Sequence, residues 1–168
     1  MDEQGRMWFT SRIRPVAANP DFCKAGSDHP SAKLVPLNES VRQLSMYDPK
    51  TEKWSLINTC FSTQHLYFAK DANNTLWTSA GGPDSGVVGW LNTKMYAQTG
   101  DEAKSQGWTP IILDTNGNGK RDEWVEANQP LDPKKDKRVM AAFYGVQPST
   151  VDDSIWGQAM DVGFSRVD

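Results

Sequence analysis

The residues best suited to chemistry form one short loop, Asp114-Thr115-Asn116-Gly117-Asn118-Gly119-Lys120-Arg121-Asp122. Oxygen-bearing side chains recur at alternate positions of this loop, and a glycine stands at its sixth position, where a sharp turn is needed. This is the D-x-[DN]-x-[DN]-G-x-x-D opening of a calcium loop, in which a tightly wound segment supplies the hard oxygens that Ca²⁺ requires. The sequence therefore predicts a structural calcium site in a loop that spans residues 114–126.

The predicted ligands are oxygens from alternate positions of the loop and from one acid beyond it. They are the side chains of Asp114, Asn116, Asn118, Asp122 and Glu126, together with the main-chain carbonyl of Lys120. The twelfth position holds Val125 instead of a bidentate Glu, so the flanking Glu126 or Glu123 is expected to substitute. Lys120 and Arg121 offset the carboxylates, so we expect weak binding, with a dissociation constant on the order of 10⁻⁴–10⁻³ M.

The same segment has a simpler interpretation as a type I′ hairpin turn, because Asn-Gly is the strongest short signal for that turn. In the calcium interpretation, one strand ends at Asp114 and the next begins at Trp124, so the ion would fix a long hairpin connection. The pair Gly119-Lys120 does not indicate a phosphate loop, because the spacing and the trailing Ser or Thr of that motif are absent.

One short phrase occurs three times and indicates how the strands are arranged. Each copy has a polar turn, an apolar residue and a Trp, and the three tryptophans are Trp8, Trp77 and Trp156. Side chains alternate along a strand, so a Trp at a fixed register position faces the same way each time. Repetition at intervals of 69 and 79 residues predicts sheets that bury their faces against each other. We expect each Trp on the second strand of a hairpin, packed between successive sheets.

The remaining pattern favours strands throughout the chain. Predicted strands cover residues 6–14, 42–47, 53–58, 65–69, 75–79, 87–91, 109–113 and 138–146, and a helical turn is weakly indicated within 93–105. Two segments lack strand periodicity, a proline-punctuated insertion at 15–40 and a solvated polar connector at 128–137. Because hairpins follow hairpins and no long helices alternate with them, the predicted fold class is all-β and antiparallel.

Two of these hairpins also carry a family resemblance. Met46-Tyr47-Asp48-Pro49-Lys50-Thr51 followed by Leu76-Trp77-Thr78 resembles the "Y-D-P-x-T-G … D-x-x-G-x-L-W-F-T" rhythm of streptogramin lyase-like (virginiamycin B lyase-like) β-propellers. The resemblance is close over residues 41–91 and loose elsewhere, and Glu52 stands where the pattern has Gly. It implies a single partial β-propeller domain over residues 1–168, with roughly two to three blades and long inter-strand insertions.

The resemblance also carries expectations about function. It implies an extracellular or periplasmic parent protein that acts as a binding or scaffold module, with a small molecule or polymer at the propeller channel. The alternative is a fragment of a lyase- or hydrolase-type propeller enzyme whose catalytic residues lie mostly outside this segment. The lyases use histidines and a glutamate with a divalent metal, but this chain has only His29 and His65 and no His-x-x-Glu arrangement. For His65, which begins a predicted inner strand, a structural role and a channel role both stay open.

Cys23 and Cys60 are the only cysteines, and three states are open to them. In an exported parent, as the resemblance implies, a disulfide between them would staple the 15–40 insertion to a blade. Two buried free thiols are the first alternative. A zinc site with His29 and His65 is the second, although the spacings miss the short ligand pairs of structural zinc sites.

Charge and hydropathy exclude two classes of partner. The net charge is −3 with both signs scattered along the chain, so no nucleic-acid surface is predicted. No apolar run approaches ~18 residues, so no membrane span is predicted. Both ends of the chain resemble strands, which we interpret as a segment of a longer protein. Self-association through open blade faces, or marginal stability, is then expected.

Overall fold

The structure is a computed structural model that describes residues 1–12, 18–79, 86–159 and 163–167, the last of these in backbone only. Strands dominate it, and they are β1 (Met7–Ser11), β2 (Gln43–Asp48), β3 (Lys53–Ile57), β4 (Leu66–Phe68), β5 (Thr75–Ser79), β6 (Val87–Asn92), β7 (Gln106–Pro110), β8 (Ile112–Leu113), β9 (Trp124–Val125), β10 (Asp136–Arg138), β11 (Phe143–Pro148), β12 (Ile155–Ala159) and β13 (Gly163–Val167). The helices are short: α1 (Pro30–Leu34), α2 (Thr93–Thr99) and α3 (Glu102–Ser105), with a 3₁₀ turn at Asp21–Cys23.

Three antiparallel sheets stack face to face. The first sheet has the order β1-β2-β3, the central sheet β4-β5-β6-β7 and the third sheet β11-β12-β13. The central sheet buries both faces: Leu76 and Leu91 pack on the first sheet, whereas Val88 and the half-buried Trp77 pack on the third. The antiparallel all-β prediction is therefore confirmed. The described strands close into neither a barrel nor a ring of blades, so the number of blades stays a prediction.

The same left-handed turn precedes each Trp strand. The residue three positions before each Trp has positive φ, at Gly5 (83°), Asn74 (50°) and Asp153 (59°). In the first two copies, Asp2 and Asp71 each accept a hydrogen bond from the main-chain N–H four residues on, at 2.9 and 2.8 Å. Glycine, asparagine and aspartate adopt this conformation at the lowest cost. The turn therefore sets where each strand starts, and the Trp register follows from it.

The three Trp residues lie in three separate antiparallel sheets, as predicted. Trp8 is buried between the first and central sheets, but Trp156 is 46 % exposed, so the expectation that every Trp packs between sheets is wrong at this position. β5 and β12 are second strands of hairpins, as predicted. β1 is not, because among the described strands it pairs only with β2 and forms the edge of its sheet.

Other boundaries follow the sequence with local differences. The Asp48-Pro49-Lys50-Thr51 turn joins β2 to β3 as predicted, and the helical segment forms α2 and α3, which Asn92 and Asp101 cap through their side chains. The predicted strand at 109–113 divides into β7 and β8, and the one at 138–146 divides into β10 and β11, because in each case the chain passes from one sheet to another. Residues 13–14 of the first predicted strand lie outside the described part.

A disulfide joins Cys23 to Cys60, with the two Cα atoms 5.3 Å apart. Of the three states that the sequence left open, the structure shows the disulfide, and the free-thiol and zinc alternatives are wrong because both sulfur atoms are used. The bond fastens the insertion to the segment between β3 and β4. The insertion is not irregular throughout: it contains α1, and the buried indole of Trp108 donates to the Val35 carbonyl at 2.7 Å. Residues 15–17 of the insertion lie outside the described part.

Candidate metal centre

The predicted calcium loop leaves β8 and enters β9, yet these strands do not pair with each other. β10 lies between them, antiparallel to β8 and parallel to β9. The predicted long hairpin connection is therefore wrong: the loop crosses over so that β10 occupies the middle of a small mixed sheet. This crossover places the loop against the start of β10, where the Asp122 N–H donates to Asp136 Oδ2 at 2.8 Å.

The loop is wound by hydrogen bonds from its own backbone to its Asx side chains. Asp114 accepts from the Gly117 N–H at 2.6 Å and, with its other oxygen, from the Gly119 N–H at 2.8 Å. Asn116 and Asn118 each accept through Oδ1 from the N–H two residues on, at 3.1 and 2.8 Å. An sp² oxygen that accepts one such bond still has a second lone pair for another donor or a cation. The backbone thus fixes the alternating oxygens that the motif predicts.

The glycines of the loop identify the kind of turn. Gly117 and Gly119 both have φ of 73°, whereas the preceding Asn116 and Asn118 are not left-handed. A type I′ turn needs positive φ at both of its central residues. The type I′ alternative is therefore wrong. The loop is a series of Asx turns, and the left-handed Gly117 and Gly119 are the middle residues of the turns that begin at Asn116 and Asn118.

Asp122 collects the two asparagine amides of the loop. Its Oδ2 accepts from Asn116 Nδ2 at 2.9 Å and also from Asn118 Nδ2. These hydrogen bonds, that of Asn116 first, lower the pKa of Asp122 below its ordinary value. Within the described residues, no three His, Cys, Asp or Glu side chains stand together as a metal-binding group. The structure thus brings the predicted side chains into one loop, with the amide N–H groups turned toward Asp122.

The two acids that flank the twelfth position have cationic partners outside the loop. Glu126 accepts from the Arg138 guanidinium at 3.1 Å, and Glu123 pairs with Lys135 at 3.1 Å. Lys120 donates its main-chain N–H to Asn118. The prediction that Glu126 completes the ligand set stays a prediction, and the structure gives its carboxylate a different partner.

Asp136 is the residue that the sequence analysis missed. It is 0 % exposed, and its Oδ1 has no hydrogen-bond partner in the described structure, although Oδ2 accepts from Asp122. A buried carboxylate oxygen without a partner is costly unless a cation compensates it. The Arg121 guanidinium lies over the Trp124 ring, 5.5 Å from its centroid. Burial lowers the pKa of Arg121, and the charge of Asp136 opposes that effect.

A sequence signal for Asp136 did exist. Asp132-Pro133-Lys134-Lys135 repeats the Asp-Pro-Lys turn at 48–51 that leads into β3, and here Asp132 accepts from the Lys134 N–H at 2.9 Å. By analogy, a strand should begin directly after it. The prediction that 128–137 is a solvated connector is therefore wrong at its end, where β10 begins with a buried residue.

Both histidines have structural surroundings. His29 caps α1, because Nδ1 accepts from the Ser31 N–H at 3.2 Å while Nε2 bonds the Ala103 carbonyl at 2.9 Å. Its ring also stacks on Trp108, with centroids 4.9 Å apart. His65 is exposed, and its ring packs on Tyr144 at 4.5 Å. These contacts account for both side chains through packing.

Comparison with known proteins adds no family. No protein-family model matches the chain, and no curated protein or solved structure matches it either. In the described part of the chain, no helix is both long and apolar enough to cross a membrane. The streptogramin lyase-like resemblance stays a prediction that rests on the residues quoted for it.

Proposed function

We propose that the chain is a binding or scaffold module of the propeller type, in which one structural Ca²⁺ fixes the crossover between β8 and β9. The observation that carries the calcium part of this proposal is Oδ1 of the buried Asp136, which has no hydrogen-bond partner in the described structure and belongs to a side chain that contacts the loop of Asx turns. The resemblance quoted for residues 41–91 supports the propeller-type module. The Arg121 guanidinium interacts with this anion electrostatically, but it leaves Oδ1 without a hydrogen bond, and a directly bound cation would compensate that oxygen.

The donor set fits Ca²⁺ better than a softer metal. Its side chains are carboxylates and amides, and no described Cys or His belongs to the loop. Hard oxygen ligands of this kind suit Ca²⁺ and Mg²⁺ rather than zinc or copper. The residues that would hold the ion are Asp114, Asn116, Asn118, the Lys120 carbonyl, Asp122 and Asp136. Bound there, the ion would neutralise carboxylates that hydrogen bonds now satisfy only in part.

The role of the ion in this proposal is structural. The loop connects strands of only two residues each, β8 and β9, which have few ladder hydrogen bonds of their own. A cross-link between the loop and the start of β10 would hold the small sheet together. The disulfide supports the related proposal that the parent protein is exported, because such bonds persist in oxidising compartments.

Calcium-dependent stability tests the proposal. Unfolding of the purified chain is followed in millimolar CaCl₂ and in a calcium chelator. The free energy of unfolding should rise by about 1.4 kcal/mol when the Ca²⁺ concentration is tenfold above the dissociation constant. Terbium luminescence excited through Trp124 gives a second readout, because this indole lies close to the loop in sequence.

Matched variants locate the site. Asp114→Asn and Asp136→Asn should abolish both the stability gain and the terbium signal. Thr115→Ala should keep both, because the Thr115 hydroxyl donates to the Lys135 carbonyl at 3.0 Å and is not a proposed ligand. The calcium site is wrong, and only the Asx-turn loop remains, if the free energy of unfolding does not change at ~10 mM CaCl₂, roughly tenfold above the weakest dissociation constants of extracellular modules.

A further inference from the structure

The turn between β4 and β5 carries a motif that the calcium proposal leaves unused. Its residues Asn73-Asn74-Thr75 fit the pattern Asn-x-Ser/Thr, with x other than Pro, which marks an acceptor of N-linked oligosaccharides. Such an acceptor belongs on a surface turn or loop of an exported protein. The position of Asn73 in the fold and the compartment of the protein therefore decide whether the motif is used.

Asn73 lies on the outside of this turn. Its side chain is exposed, whereas Asn74 and Thr75 are only 4 % and 6 % exposed. The main-chain carbonyl of Asn74 accepts from the Thr93 hydroxyl at 2.7 Å, which fastens the turn to the start of α2. A sugar attached to Asn73 would extend into solvent without displacing a buried side chain.

The disulfide between Cys23 and Cys60 supports the required compartment. Disulfides persist in secreted proteins, in the lumen of the endoplasmic reticulum and in the bacterial periplasm. Enzymes that transfer oligosaccharides from a lipid carrier to Asn act on the same side of the membrane. This step rests on the proposal that the parent protein is exported, and it does not depend on the calcium loop.

Asn58-Thr59-Cys60 is a related motif at which the fold does not accommodate a glycan. Cysteine takes the third place here, and its sulfur belongs to the disulfide. The half-buried Asn58 donates its side-chain amide to Glu102 Oε2 at 2.8 Å and its main-chain N–H to Oε1 at 2.9 Å. A glycan on the Asn58 amide would disrupt this contact.

Asn38-Glu39-Ser40 is a second full match, and it is less suited than Asn73. Asn38 is exposed, but it lies within the segment that the disulfide closes. Its main-chain carbonyl accepts from the Asn19 N–H at 2.7 Å, and Ser40 is 3 % exposed. Formation of the disulfide competes with presentation of this segment as an extended acceptor. Asn73 lies outside the closed segment.

We propose that Asn73 is an acceptor site for an N-linked oligosaccharide, whose donor is a lipid-linked oligosaccharide pyrophosphate. Nδ2 of Asn73 attacks the anomeric carbon of the first sugar, and a C–N bond forms. The bond from that carbon to the pyrophosphate oxygen breaks, and its electron pair leaves with the lipid pyrophosphate. One amide proton passes to a base of the transferase. The reaction needs no oxidant or reductant.

Transfer has to occur before the turn closes. The motif requires an accessible hydroxyl at its third residue, yet the Thr75 hydroxyl donates to Asp71 Oδ2 at 2.6 Å in the fold, and Thr75 is buried. An extended, unfolded chain presents this hydroxyl, and folding then buries it while Asn73 stays on the surface. The glycan is therefore added during export and is carried by the folded protein.

Translation of the full chain behind a cleavable secretion signal, in the presence of microsomes from the endoplasmic reticulum, tests the inference. The wild type should gain a mass that peptide:N-glycosidase removes, and mass spectrometry of its peptides should place a glycan on Asn73. Asn73→Gln and Thr75→Val should each lose this one glycan, whereas Thr75→Ser, which keeps the hydroxyl, should retain it. Asn128→Gln, on an exposed Asn that Gln and Pro follow, should leave the modification unchanged.

Two results would overturn the inference. One is a translocated wild type whose Asn73 peptides carry no glycan, even where Asn38 carries one. The other is an Asn73→Gln variant that keeps the full number of glycans. Protection from added protease and an oxidised Cys23–Cys60 pair in the same sample show that the chain reached the lumen, so absence of the glycan is distinct from failure of export. The readout needs no Ca²⁺, so it is also independent of the proposed calcium site.

Discussion

At the residue scale, Asp2 shows how one side chain fixes a turn and a tryptophan together. Its carboxylate accepts from the Trp8 indole N–H at 2.8 Å and from the Arg6 guanidinium at 2.6 Å, while the Asp2 side chain is fully buried. Burial by itself would raise the pKa of Asp2, but the hydrogen bonds from Trp8 and Arg6 outweigh it and lower the pKa. Asp2 is therefore held as a buried anion with several donors.

The lowered pKa of Asp2 predicts a pH dependence. Its folded-state pKa lies below the unfolded value of about 3.9, so its contribution is complete above about pH 5 and is lost as pH falls through the folded pKa. Asp2→Asn should cost about 1–3 kcal/mol at pH 7, and much less at pH 3, in denaturant titrations. Glu3→Gln is the control, because Glu3 is exposed and lies 3.8 Å from Lys94. An equal loss for Asp2→Asn at both pH values would contradict the assignment.

Two glycines of the third sheet show how the addition of a single Cβ atom can change the free energy of unfolding. A Cβ on Gly157 would lie 2.4 Å from the Phe143 ring, whereas a Cβ on Gly145 would meet nothing within 4 Å. We expect Gly157→Ala to destabilise the chain by about 1–3 kcal/mol through overpacking. Gly145→Ala, in the partner strand, should change the free energy of unfolding little. Thermal unfolding of the two variants side by side measures the difference, and equal melting temperatures would refute it.

At the element scale, the insertion depends on its disulfide and on Trp108. The described part of the insertion, residues 18–40, has one helix of five residues and a 3₁₀ turn, so regular structure contributes little to its order. Cys23, Val35, Phe61 and Trp108 instead form one buried cluster with the disulfide inside it. Covalent and apolar contacts to the central sheet therefore replace local secondary structure.

Removal of the disulfide should have a large effect. The bond closes a loop with a sequence separation of 37 residues, for which the chain-entropy model gives about 3–4 kcal/mol of stabilisation. The Cys23→Ser/Cys60→Ser variant should lose that amount in denaturant titrations. Reducing agent should lower the stability of the wild type and leave that of the variant unchanged. If the variant is as stable as the oxidised wild type, the bond is not part of the folded structure.

At the scale of the whole molecule, the stack of sheets has a direction, and the three Trp residues differ in stability accordingly. Trp8→Ala removes a buried side chain and should cost about 3–5 kcal/mol. Trp156→Ala should cost under about 1 kcal/mol in the monomer, because surface substitutions remove little buried area. The stability loss from Trp77→Ala should lie between those of the other two variants, since Trp77 is half-buried. Denaturant titrations at low protein concentration check the order, and a loss at Trp156 as large as that at Trp8 would contradict it.

Local sequence determined the parts of the fold that depend on neighbouring residues. The turns at 2–5, 48–51 and 71–74 need Asp, Pro, Asn or Gly at fixed positions, and side-chain alternation follows from each turn. Strands β2, β3, β5 and β6 and the Asx-rich loop were therefore predictable. The loop residues carry their own hydrogen-bond partners two to five positions away, so no distant element is required to wind the loop.

Only the tertiary structure decided the features that depend on distant partners. The insertion of β10 between β8 and β9 buries Asp136, although its sequence neighbours Lys134, Lys135 and Lys137 suggest a solvated segment. Trp8 and Trp156 have similar sequence surroundings, but Trp8 is buried against the central sheet and Trp156 is 46 % exposed. Burial is set by whichever sheet lies opposite, and local propensity carries no information about that sheet. For this reason the sequence predicted the repeated strands, while the structure alone revealed the buried carboxylate of Asp136 and the different exposure of Trp8 and Trp156.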